Sequence, residues 1–70
     1  MNVELIGTWA GQVWTALNEA DVLGVKQIKK ITKLKEKDIA YALGWLAREG
    51  KIAFEESEDE KDTLVRLLQE

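Results

Sequence analysis

The 70-residue chain has no cysteine and no histidine. Their absence removes thiol nucleophiles, disulfides, the usual zinc ligands and the commonest base at neutral pH. Hydroxyls are scarce as well: Ser57, four threonines and Tyr41, none of them beside a credible base. An enzyme is therefore not expected, and no cofactor, metal or small-molecule substrate is indicated. No apolar run approaches the ~20 residues that span a bilayer. The opening MNVELIGTW has no basic segment of the kind that begins a secretory signal. The expectation is a cytoplasmic protein without membrane contact. A chain this short, with neither disulfide nor metal, often leans on tight packing or on oligomerisation.

What is present suits one small domain over residues 1–70. Apolar residues make up 46% of the chain, enough for a packed core and too many for a disordered tail. The net charge of −3 argues against nucleic acid if it is spread evenly. It is not spread evenly. Residues 1–25 hold three acids and no base; residues 26–37 (KQIKKITKLKEK) hold six lysines against one glutamate; residues 55–62 (EESEDEKD) hold six acids against one lysine. A basic block is thus followed by an acidic one.

Residues 3–20 read as a helix whose apolar side chains, Val3 to Ala20, fill an arc of roughly 180° at ~100° per residue. One small core needs a narrower stripe, so this helix is expected to bury two faces. Gly7 and Gly11 lie beside Trp14 at the edge of the arc, and each glycine costs a helix interior ~1 kcal/mol relative to alanine. Close approach of another backbone or of a large ring is the expected reason; internal packing under a wrapped C-terminus is the plainer alternative. Residues 21–24 form a turn with room for a very short strand. Val25, Ile28 and Ile31 at three-residue spacing mark a second helix, whose other side carries Lys26, Lys29, Lys30 and the nearby Lys33. A third helix over about residues 35–49 has the core face Ile39, Ala42, Leu43, Leu46 and Ala47, and Gly50 stops it. The period then changes to two. Residues 51–56 and 63–68 read as an antiparallel hairpin with Val65 and Leu67 inward. The connection SEDEKD contains no glycine or proline, so a long, mobile tip is expected there.

Two helices joined by a short turn, then a glycine and a hairpin, resemble the winged helix-turn-helix fold. The resemblance covers the whole chain. Its most specific piece is IAYALGWLAREGKI, in which Ile39, Leu43, Leu46 and Gly50 match the third-helix core and its terminating glycine; Ile28 and Leu34 match the second-helix core and the apolar turn position. More narrowly, the chain is similar to a family of short bacterial and archaeal winged-helix proteins of unknown function that carry a like ALGWLAREGKI stretch. The fold this implies is α+β and mainly α, three helices followed by a β-hairpin wing. Two positions depart from the common pattern. Lys33 stands where the turn often has glycine. Lys35 stands at an N-cap often held by Ser or Thr and cannot accept a hydrogen bond there; Glu36 and Asp38 offset this through the helix dipole.

In helix-turn-helix proteins the second helix of the motif sets its N-terminal residues on base edges. Opposite the core, residues 35–49 present Lys37, Tyr41, Gly44 and Arg48 as one stripe. For double-stranded DNA, Lys35, Lys37 and Tyr41 would enter the major groove, Lys26, Lys29, Lys30 and Lys33 would touch phosphates, and Arg48 would close the stripe. The plainer reading of the lysines is a solvated face. No Asn or Gln lies on the stripe, so base readout is weakly encoded. The acids at 55–62 would repel phosphate; either the wing turns away from a duplex or the target is not DNA. As a calcium loop the run lacks the central glycine and the ordered acid spacing. Ser57 sits in an acidic context that some kinases accept. Three tryptophans exceed what so small a core must hide. Trp45 lying flat on the hairpin and Trp9 filling the core is the plainer expectation; the sharper one is that Trp14, with Gly7 and Gly11, faces a second copy in a homodimer. The expected function is DNA binding in transcription-associated regulation, and the rival is a protein-interaction module that keeps the fold without DNA.

Overall fold

The computed structural model describes residues 2–56 and 62–68. The first helix, α1 (Val3–Ala20), starts where the Asn2 side chain accepts the Leu5 N–H at 2.8 Å. This satisfies one of the donors that a helix start leaves free. It ends at Asp21, whose positive φ of 68° turns the chain out while its N–H still reaches the Leu17 carbonyl at 2.7 Å. Three residues of strand follow, β1 (Val22–Gly24), and then α2 (Val25–Thr32).

The start of α2 is capped from two directions. The Gln27 side chain accepts the Gly24 N–H at 2.8 Å, and the Asp62 carboxylate, 36 residues away, accepts the Lys26 N–H at 3.3 Å. Gly24 brings no side chain to its own cap, and a β-carbon there would collide with the Asp62 carboxylate. Glycine at this position therefore makes room for the distant acid. Asp62→Ala is expected to lower stability by about 1 kcal/mol, the usual worth of a lost cap, read as a fall in the urea midpoint at unchanged slope.

Lys33 closes α2 in the left-handed conformation, φ 64°, with its N–H on the Lys29 carbonyl at 2.9 Å. This is the turn position at which a glycine is common, and a side chain there is held at some conformational cost. The third helix, α3 (Glu36–Arg48), has Lys35 at its N-cap with no side-chain hydrogen bond, and Glu36 and Asp38 in its first turn. Its end is a complete Schellman motif. The Gly50 N–H bonds the Ala47 carbonyl at 3.1 Å, the Lys51 N–H bonds the Leu46 carbonyl at 3.0 Å, and Gly50 takes φ 72°.

The hairpin strands are β2 (Ile52–Glu56) and β3 (Thr63–Leu67). They do not stand alone: β1 joins them in an antiparallel sheet of order β1-β3-β2, so the last strand in sequence is central in space. Val65 faces Leu23 on one side and Phe54 on the other. The inner face of the sheet, Leu23, Ile52, Val65 and Leu67, closes the core formed by Ala10, Val13, Ala16 and Leu17 of α1, Ile28 of α2, and Ile39, Ala42, Leu43 and Leu46 of α3. Trp9, Val25, Leu34 and Ala47 pack partly buried around it. Phe54 shares the face of Ile52 but stays 50% exposed. It sits on an edge strand and has a neighbour on one side only. Ile31, in register with Ile28, is also exposed, at the rim of α2.

Candidate nucleic-acid interface

Lys26, Lys29, Lys30 and Lys33 follow one another at i, i+3, i+4 and i+7, which sets them on one face of a helix. In the structure they are exposed and border a shallow depression floored by Leu34 and edged by Glu36. The turn between α2 and α3 thus joins the basic face of α2 to the first residues of α3. Lys35 and Lys37 continue the positive surface there. One cation is already engaged: the Lys29 ammonium lies 3.4 Å from Glu36. Both side chains are well exposed, so the pair holds little energy, but it lowers the local positive charge.

Along α3 the stripe Lys37, Tyr41, Gly44 and Arg48 is exposed opposite the buried Ile39, Ala42, Leu43 and Leu46. Arg48 lies eleven residues beyond Lys37, about 16 Å along the axis, and so stands apart from the lysine cluster. Seven of the eight candidate DNA-contacting residues therefore lie on α2, in the α2–α3 turn and on the first two turns of α3. The stripe offers cations and one phenol. This surface suits phosphate oxygens, which carry no sequence information, better than base edges.

The acidic run is only partly in view. Glu58, Asp59 and Glu60, together with Ser57 and the expected mobile tip, lie outside the described residues. Its two ends are each committed. Glu55 accepts two hydrogen bonds from Arg66, at 2.8 and 3.2 Å, diagonally across β2 and β3. Hydrogen bonding to Arg66, with the attraction of its charge, holds the Glu55 carboxyl below the usual carboxylate range. At the other end Asp62 sits at the start of α2, beside Lys26. The wing therefore rejoins the body next to the basic face. No local pattern announces the Asp62 contact or the Lys29–Glu36 pair.

A second surface lies on α1. Gly7 and Gly11 form the floor of a cleft walled by Trp14 and by Trp45 of α3. Trp45 thus borders the glycine face of α1, and Lys51 is the residue of that cleft next to the hairpin. Trp14 and Trp45 are 37% and 40% exposed, while Trp9 is half-buried against the core. Among the described residues, no cluster of Asp and Glu could hold a metal ion, and no helix is long and apolar enough to cross a membrane.

Residues 1–67 match the family described as "Winged helix-turn-helix domain (DUF2582)". No curated protein matches the chain. Among solved structures, it is similar to protein BT2368 from Bacteroides thetaiotaomicron, determined by solution NMR. The identity is 35%, the match covers 94% of this chain and 79% of that one, and the TM-score is 0.79.

Proposed function

The chain belongs to the winged helix-turn-helix domain family DUF2582, and from that membership we propose that it is a cytoplasmic, non-enzymatic DNA-binding protein of transcription-associated regulation, acting as a homodimer. The observation that carries the reading is the continuity of the lysine face of α2 with the start of α3 around one open depression. In this mode Lys35, Lys37 and Tyr41 approach the major groove. Lys26, Lys29, Lys30 and Lys33 sit on flanking phosphates, with Arg48 at the far end of the stripe. With no Asn or Gln on that stripe, affinity comes mainly from the backbone, and sequence preference is modest.

The rival reading is a protein-interaction module that keeps the fold without binding DNA. It is favoured by the Lys29–Glu36 pair and by the exposed tryptophans of the α1 face. Mobility-shift titration on random and genomic duplexes separates the two. If the four α2 lysines each release a counterion, the logarithm of affinity falls with a slope of about −3.6, a loss of roughly 100-fold between ~50 and ~200 mM salt. Absence of any duplex binding at the lower salt would leave the interaction module as the better account.

A further inference from the structure

Neither Gly7 nor Gly11 is explained by the folded chain around it. A β-carbon added at either position meets nothing within 4 Å. Neither has the positive φ that would demand glycine, which among the glycines belongs to Gly50. Each nevertheless weakens the middle of a helix by ~1 kcal/mol relative to alanine. The benefit must come from something outside this fold that approaches α1 closely.

The surroundings indicate what approaches. Trp14 and Trp45 border the cleft of the glycines, each more than one-third exposed, and the exposed Leu68 lines a second cleft with Trp14. Val3, also exposed, stands four residues before Gly7 and so on the same side of α1. A tryptophan carries up to ~250 Å², so each ring leaves roughly 100 Å² open. With Val3 and Leu68 the open apolar area per molecule comes to roughly 350–400 Å². That approaches the apolar share, about 450–500 Å², of one side of a standard interface.

The stripe is also complementary to itself. On α1 the exposed residues Val3, Gly7, Gly11, Trp14 and Asn18 follow one side at helical spacing. If two such helices run antiparallel about a two-fold axis between Ala10 and Gly11, residue i of one faces residue 21 − i of the other. Each Trp14 then meets the second copy's Gly7, and the exposed Gly11 lies beside the axis, where the backbones come closest. A ring on one copy fills the space that the glycine leaves on the other, twice over, as a closed isologous contact requires.

We infer that the protein pairs with a second copy of itself through this face of α1, each Trp14 seated over the other copy's Gly7. The pairing deepens the homodimer of the functional reading and needs no DNA to form. Its test is sedimentation equilibrium of the wild-type chain without DNA, across the micromolar range, beside Gly7→Leu and Trp14→Ala. The wild type is expected to sediment as a dimer at the upper end of that range. Gly7→Leu fills the hole and should weaken the dimer at least tenfold. At a concentration low enough that both are monomeric, its circular dichroism and thermal midpoint should equal or exceed those of the wild type, because leucine is the better helix former. Trp14→Ala should shift the equilibrium the same way. A wild type that is monomeric throughout would assign the face to a different protein and overturn the inference; so would a Gly7→Leu variant that dimerises as tightly as the wild type. Either result leaves the mobility-shift outcome to stand by itself.

Discussion

Leu46→Ala should cost about 2–5 kcal/mol, the range for a buried leucine truncated in a packed core. A 70-residue domain holds only ~5 kcal/mol or a little more in total, so a large fraction of the variant should be unfolded in plain buffer. The reason lies in the surroundings of Leu46. Its side chain is 4% exposed and points from α3 into the core lined by Val13 and Leu17 of α1. Its carbonyl accepts the Lys51 N–H, part of the motif that fixes the end of α3 and the entry to β2. The walls of the resulting hole are held by the Schellman turn on one side and by a five-turn helix on the other, so they have little freedom to collapse. Urea unfolding followed by tryptophan fluorescence measures the loss. Phe54→Ala is the contrast: that ring is already half in water, and its removal should cost well under half as much. A Leu46→Ala variant as stable as the wild type would contradict the packing of α3 on α1.

Reversing three lysines, Lys29→Glu, Lys30→Glu and Lys37→Glu together, is expected to abolish duplex binding even at low salt. Each replacement changes the charge by −2, so the net charge moves from −3 to −9, all of the change falling on one face. Lost counterion release and new repulsion act together, and at ~0.1 M salt the Debye length of ~10 Å does not screen charges held against a phosphate. All three side chains are exposed. The fold should survive, apart from the small worth of the Lys29–Glu36 pair. Arg48→Glu, at the far end of the α3 stripe, should give a smaller loss. Mobility shift at fixed low salt, with circular dichroism to certify the fold, decides the point. Wild-type affinity in the triple variant would remove the α2–α3 surface from any role with DNA.

Much of this architecture is legible in the residues, and what is hidden shares one cause. The bounds of α1, the end of α3 at Gly50 and the inward Val65 and Leu67 follow from period and capping, which are local properties. The lysine face follows from helical spacing alone. Contacts between distant segments leave no such mark. Val22–Gly24 is too short to show a period, so its pairing with β3, and with it the third strand of the sheet, comes only from the folded chain. The Asp62 cap joins positions 36 apart. Trp45 has an aromatic ring's preference for cover but no local sign of which cover, and it shares a cleft with the glycines of α1. Phe54 alternates correctly with its neighbours, yet its exposure depends on being at a sheet edge, which only the strand order reveals.

That strand order bears on how the protein is made. The central strand is made after the other two, and both of these lack a partner until it arrives. While the chain emerges from the ribosome, α1, β1, α2, α3 and β2 are all present before any ladder of the sheet can close. Domains generally fold as units during synthesis, and here the unit is not whole until Thr63–Leu67 is clear. A stop codon or proteolytic cut before Thr63 would therefore remove the middle of the sheet and leave its two edge strands, β1 and β2, unpaired on an open core.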